Sequence, residues 1–578
     1  MMGVKSTQCS AVLLGALLVY GCNEARPGLR PVDVETKADG VAGTVGSLTV
    51  SYGDHAETFS SLATDDGHHV ALDFTRAGRR ARVGERIAVH GVRDADRIEV
   101  SSYEVLGPRG DEAVRQALRR APEPRTFKVA AISVTTEMSQ DALRKRVFTD
   151  PDSPAAFYRE NSYGAWQLEG DVYGPYAITA TGCTITKLYD IVAEANGAAI
   201  ADGFDPAAYD NLMYFLGERG NNCTFGAAAE VGINEIRGFL NAKYSWYRET
   251  SCVALAQEIG HNFGLLHAHK CTDPPYVAGT FSKGLWCLGF NEYGDTYTPM
   301  GGGCGHFNAP EAAALGYISG CNTLDVTRSG TFEIGPIEAK CSGPQVIRIS
   351  ANAMANYGPQ YIYVEYRRGA GSVSSDRVSR QGIYFHASAE YGGNWTGKSS
   401  PDDRHNLDYA LDPYEIHDPV TTVGATWTEP SSGATFELTA LGDTARVEVT
   451  IPGVGTGAAT CIDGTMPPSS PTCTTITIDA GASDAGSVGE EAGSELDGGG
   501  PALDGAHEDV GLRSSATDGS LEVPTDSSSE DGCSCSIPGR SASHRRLAAL
   551  LTLAALICRR RRYATRPKGR SRPSKAKN

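Results

Sequence analysis

The stretch Gln257-Glu258-Ile259-Gly260-His261-Asn262-Phe263-Gly264-Leu265-Leu266-His267 limits the local fold more than any other part of the chain. Gln257 and His261 are four apart, so a helix places them on one face. Glu258 then sits one position round, beside that pair. Gly264 can end such a helix in a left-handed turn, a conformation that side chains resist. That turn would bring His267 back toward Gln257 and His261. An isolated Glu-x-x-His on a helix is commonly a solvated pair. The added glycine and third donor separate this stretch from that case.

Three protein donors with a fourth position left open are the arrangement of a catalytic zinc rather than a closed structural one. Gln257, His261 and His267 are therefore the candidate Zn2+ ligands, and Glu258 the candidate general base toward a metal-acidified water. The pattern resembles the long zinc motif of the metzincin proteases, H-E-x-x-H-x-x-G-x-x-H. It departs at the first ligand, which is Gln257 rather than His. A carboxamide oxygen is a neutral, weaker ligand than imidazole nitrogen. Some members of the gametolysin family carry Gln at that point, and the stretch is similar to theirs. Thr298-Pro299-Met300-Gly301 looks like the metzincin Met-turn, and His306-Phe307-Asn308-Ala309-Pro310 resembles the segment after it. Asn161-Ser162-Tyr163-Gly164 and Gly170-Asp171-Val172-Tyr173-Gly174-Pro175 look like the upstream strand region. His306 is the substitute ligand should Gln257 not bind, and His269 reads as a residue outside the ligand set. Tyr293 and Tyr297 are candidates for stabilising an oxyanion. Metzincins that use a tyrosine near this turn place it two residues after the Met, which here is Gly302, so no tyrosine is assigned.

The chain has 578 residues and a formal net charge of −17. Residues 479–532 carry a local −13 and residues 533–578 a local +13, so the acidity resides in the body and in an acidic stretch before a basic end. That balance argues against nucleic acid as a partner, since phosphate binding needs a basic surface. No apolar run reaches the roughly 18 residues that read as a membrane helix.

Both ends read as export signals. Lys5, an apolar run from Ala11 to Tyr20 and Gly21-Cys22 describe a signal peptide over 1–22. Cys22 after Gly21 resembles a bacterial lipobox, which implies lipid on Cys22; an ordinary signal peptide is the alternative. Cys533-Ser534-Cys535, an apolar run from Leu547 to Cys558 and Arg559–Arg562 resemble the Cys-containing, Arg-ended sorting tails of exported myxobacterial proteins. A weak membrane helix with a basic stop is the other reading of 533–578. Either way the body lies outside the cytoplasm, at the bacterial cell surface or secreted. The ten remaining cysteines suggest disulfides, with Cys461–Cys473 the one pair guessed.

The domain reading follows the pattern changes. Residues 27–40 are a polar tether. Short alternating stretches over 41–107 read as a small β-barrel-like domain, a candidate pro-domain without a cysteine to place on zinc. A basic connector over 109–125 precedes the α+β metzincin-like catalytic domain at 125–320. A β-sandwich-like domain occupies 325–452, and a Gly/Ser/Asp-rich linker 456–532. Asp402, Asp403 and Asp408 lack calcium-loop spacing and are assigned no site. Together these readings imply an exported zinc endopeptidase acting on extracellular protein or glycoprotein. The alternative is a catalytically weak surface protein, adhesive or carbohydrate-binding, with a degenerate metal site.

Overall fold

The computed structural model describes residues 36–474 with breaks at 53–54, 79, 82, 95, 108–123, 135–137, 218–222, 236–237, 241, 272–289, 351–359, 370–379, 390–413 and 430–431. The signal peptide with Cys22, the sorting tail, the acidic stretch, the Asp402–Asp408 cluster and nearly all of the basic connector lie outside the described residues.

Five N-terminal strands run β1 (Thr36–Ser51), β2 (Ala56–Thr64), β3 (His69–Asp73), β4 (Arg86–Asp94) and β5 (Arg97–Gly107). They pair in a ring, β1–β2–β3–β5–β4–β1, around Leu62, Val70, Ile87, Val89, Ile98 and Val100. The central region adds β6 (Arg125–Val134), β7 (Trp166–Tyr176), β8 (Asn211–Phe215), β9 (Ala227–Glu230), the hairpin β10 (Ile233–Glu235) and β11 (Gly238–Leu240), and β12 (Tyr244–Tyr247). Its α-helices of six residues or more among the described residues are α1 (Pro154–Asn161), α2 (Ile185–Ile200), α3 (Cys252–Asn262) and α4 (Ala309–Ala314). Strands β13 (His269–Cys271) and β14 (Phe290–Asn291) follow α3.

These pairings correct the expected fold class. Strands make up 43% and helices 18%, so the chain is mostly β rather than an α+β catalytic domain between two separate β domains. The sheets also cross the expected boundaries. β1 continues past the N-terminal ring and pairs antiparallel with β9, joining both regions in one ten-stranded sheet. Beyond the helix, β13 and β14 form the edge of an eight-stranded sheet built mainly from the C-terminal region. Alternating apolar residues predict that a strand has one buried face, but they do not say which strand it pairs with.

The C-terminal strands form that sheet and a four-stranded one, enclosing Ile347, Ile362, Phe385, Phe436, Leu438 and Val447. Two other expectations change. The tether from residue 36 is strand, and the linker is folded as far as residue 474. Cys461 bonds Cys321 and Cys473 bonds Cys341, not each other. Thr460–Cys461 pairs with Leu324 and Asp325, and Cys473–Thr474 pairs with Lys340–Cys341, so strand pairing rather than loop length selects the partners. Cys183–Cys223 and Cys252–Cys304 are also bonded. Disulfides of this number belong to an oxidising compartment. Among the described residues no helix is long and apolar enough to cross a membrane.

A buried ionic network ties the C-terminal strands to the segment carrying the Met-turn. His386 Nε2 and Asp295 Oδ2 are 2.9 Å apart with both side chains fully buried. Arg367 donates to the carbonyls of Tyr297 and His306 and pairs with Glu365, whose carboxylate accepts from the Ala309 amide at the start of α4. Burial opposes charge on both His386 and Asp295, but their mutual attraction prevails, raising the first pKa and lowering the second. The Asp295 contribution is present above its unfolded value of 3.8 and is lost as pH falls through the depressed one. The His386 contribution is full below 6.5 and is lost as pH rises through the elevated one. His386→Leu should therefore destabilise by about 3–5 kcal/mol, since it takes the ion-pair partner from a fully buried carboxylate that then keeps only the Asn308 and Tyr297 amides and the more distant Arg367 charge. Melting curves over pH should show the largest gap to the parent between these two values.

Candidate metal and catalytic site

Helix α3 starts at Ser251, whose hydroxyl accepts from the Ala254 amide. It ends as the glycine spacing predicts. Gly264 has φ +82°, its amide donates to the His261 carbonyl, and the Leu265 amide donates to the Gly260 carbonyl. These two bonds form a Schellman cap, which a residue with a Cβ would strain. Asn262 fixes the helix to the sheet: its side-chain amide donates to the carbonyls of Glu230 and Tyr244 and accepts from Asn211. Beneath the helix, a Cβ at Gly260 would lie 2.6 Å from Met300 Sδ, so the bare glycine admits the thioether. The Pro299–Gly301 turn holds Met300 there, with its carbonyl accepting from the Ala268 amide.

The cap returns His267 to His261. Their Nε2 atoms are 3.1 Å apart and both rings are buried. The other ring nitrogens fix the tautomers. His261 Nδ1 is 2.9 Å from the Leu265 carbonyl, which can only accept, so Nδ1 carries the proton. His267 Nδ1 is 3.2 Å from Glu292 Oε1. Burial opposes charge on Glu292, but His267 and the Ala56 amide prevail and lower its carboxyl pKa. An ionised carboxylate likewise draws the proton to Nδ1 of His267. Burial, with His267 alongside, pushes His261 down to about 3, and burial also lowers His267, so both rings are neutral.

Two Nε2 lone pairs thus face each other, with no proton between them. A cation suits that pair. Nitrogens at 2.0–2.1 Å from a tetrahedral zinc stand about 3.3 Å apart, close to the spacing seen. A second hydrogen bond from each metal-binding His to a carbonyl or carboxylate is the usual support of such ligands.

Gln257 and Glu258 share this buried face of α3, and each has an orphaned polar atom, Gln257 Nε2 and Glu258 Oε2. Glu258 Oε1 accepts from Ser51 Oγ at 3.2 Å, and burial pushes its carboxyl up to about 8 against that bond. Among the described residues, no group of three or more His, Cys, Asp or Glu gathers at metal spacing. Gln257, the expected third donor, is buried on the same helix one turn before His261. His306, the expected substitute, lies 3.3 Å from Glu160 of α1 instead. His269 is fully buried and bonds through Nδ1 to the Glu292 carbonyl. His261 and His267 suit a metal in donor type, tautomer and burial, and Gln257 and Glu258 are buried on the same helix as His261.

Sequence reasoning missed Ser51 and Glu292. Glu292 arrives 25 residues after His267, returned by the β13–β14 hairpin. Ser51 stands 207 residues before Glu258, carried in by β1. Neither separation follows a local period, so no spacing rule could have found them.

No family model matches the chain, and no curated protein does. One solved structure found to be similar is metalloproteinase-II from Bacteroides fragilis, at 12% identity and TM-score 0.21, covering 48% of this chain and 91% of that one.

Proposed function

We propose that this chain is an exported, zinc-dependent endopeptidase of extracellular protein or glycoprotein. The observation that carries the reading is the facing, tautomer-fixed Nε2 pair of His261 and His267, with Glu258 buried on the helix that carries His261. Zinc held by these histidines and the Gln257 carboxamide would polarise a substrate carbonyl and acidify water. Glu258 takes a proton from the attacking water and returns it to the leaving amine as the C–N bond breaks. Glu292 holds His267 in the tautomer that presents Nε2, and Leu265 does the same for His261. Lipid on Cys22, or the C-terminal sorting tail, is the proposed route of attachment to the cell surface.

The N-terminal strands are proposed to act as a pro-domain, because β1 lies along β9 and reaches Glu258.

Metal removal tests the reading. The purified chain, nicked in its basic connector by brief trypsin treatment, should hold one zinc and digest casein. A chelator should abolish digestion and added zinc should restore it. Sub-stoichiometric zinc with no chelator-sensitive digestion would favour the surface-binding alternative.

A further inference from the structure

A cavity of about 480 Å³ lies on the other side of β1 from the metal site, a size usual for small-molecule sites. Val50 lines it, whereas the next residue, Ser51, reaches Glu258. Neighbours on a strand point to opposite faces, so the sheet separates the two sites. The cavity walls come from the end of β1, from β2 and β3, and from Cys183–Ile185 at the start of α2. The ring β1–β2–β3–β5–β4–β1, with β3 and β5 parallel, is the strand order of an OB-type barrel. In such barrels the β2–β3 face holds oligonucleotides or oligosaccharides. The cavity occupies that face, and its side chains select between those ligands.

Val50, Leu72 and Phe74 are buried and make an apolar floor, with Phe59 and Tyr52 half-buried beside it. Thr58, Thr75, Arg80 and Arg97 are exposed, at the mouth. Thr75 donates its hydroxyl and its amide to Asp73, and Arg97 lies 3.5 Å from the same carboxylate. Asp96 accepts from the Thr184 hydroxyl where the barrel meets α2. Asp73 and Asp96 thus balance Arg80 and Arg97 in charge. A phosphate backbone needs surplus positive charge, which this balance does not supply. A lipid tail would strip water from these charged groups and give them no partner. A sugar ring presents apolar C–H faces and a rim of hydroxyls that both donate and accept. It matches an apolar floor with aromatic sides, carboxylates and guanidinium groups.

We propose that this cavity binds a neutral disaccharide unit of a larger glycan, held between the N-terminal barrel and the start of α2. The proposal stands apart from the endopeptidase reading, because it uses neither the facing histidines nor Glu258. Phe59 and Tyr52 meet the C–H faces of the sugar. Arg97 donates to its hydroxyls, and Asp73 and Asp96 accept from them. The exposed mouth leaves the rest of the glycan in solvent.

The intact chain, not nicked, is applied to an array of printed glycans. Cellobiose, maltose, lactose and N,N′-diacetylchitobiose are then titrated by calorimetry, with oligothymidylate and laurate as the competing chemistries. At least one neutral glycan should be retained, and a free disaccharide should bind at a single site. Ser60→Phe fills the cavity from β2 and should abolish that binding. Arg97→Ala should weaken it about tenfold, as for one lost hydrogen bond to a charged group. Arg97 is exposed, so this variant decides the matter should Ser60→Phe melt early. Zinc content should be the same in all three proteins, and a failure here leaves the endopeptidase reading untouched. Retention of no neutral glycan would overturn the proposal, as would equal affinity in the parent and both variants. Tighter binding of oligothymidylate or laurate than of any sugar would overturn it in favour of that other chemistry.

Discussion

Glu258→Gln should lower proteolysis by about 10²–10⁴-fold, the span of a lost general base, while leaving zinc content and fold unchanged. The amide matches the carboxylate in size and can still accept from Ser51 Oγ, so the packing of α3 is preserved. It cannot take a proton from water. Glu258 is fully buried, on the same helix as Gln257 and His261, and close to the facing imidazoles in the chain path. The loss should fall on kcat rather than KM, because proton transfer belongs to the transition state. Steady-state kinetics with metal analysis of both proteins decide the matter. Equal rates for parent and variant would remove Glu258 from the reaction.

The legible part of this molecule is the part with a local period. Gln257, Glu258 and His261 were readable because one helix turn puts them together, and His267 because Gly264 adopts the left-handed turn its spacing implied. Met300 was readable through the Thr298–Gly301 pattern, and it does lie under α3. What stayed illegible depends on partners far along the chain. The sequence of β1 says that Leu48 and Val50 point inward, but not that Ser51 will end against Glu258. The acidic Glu292 carries no mark that sets it apart from surface glutamates until the hairpin returns it to His267. Cys461 and Cys473 are near enough in sequence to suggest a small loop, yet each belongs to a different strand pair. The fold class failed for the same reason. Its errors lie in which strands join, as β1 to β9 and β13 to the C-terminal sheet, rather than in which segments are extended.

Release of the N-terminal strands should raise proteolysis by about 100-fold or more over the intact chain. Residues 48–51 of β1 pair antiparallel with residues 227–230 of β9, in register from Leu48↔Glu230 to Ser51↔Ala227. The Ser51 carbonyl accepts from Gly226, and the Ser47 carbonyl from Val231. Past the strand, the Ala56 amide donates to Glu292 at 3.0 Å. The same segment thus holds a sheet edge by main-chain bonds, Glu258 by Ser51 and Glu292, the carboxylate behind His267, by Ala56. An extended peptide reaching Glu258 would need that edge and would find it taken, since strand addition uses a single row of donors and acceptors. On the pro-domain proposal, activation requires the segment to leave, and cutting the connector would make the interaction intermolecular and reversible by dilution. Val50→Pro should raise activity without a cut, because β1 pairs at Val50 with both Ala228 and Glu57, and proline is poorly tolerated in a strand paired on both sides. Casein digestion before and after nicking, at several dilutions, measures the effect. An intact chain as active as the nicked, diluted one would show that β1 does not obstruct the site.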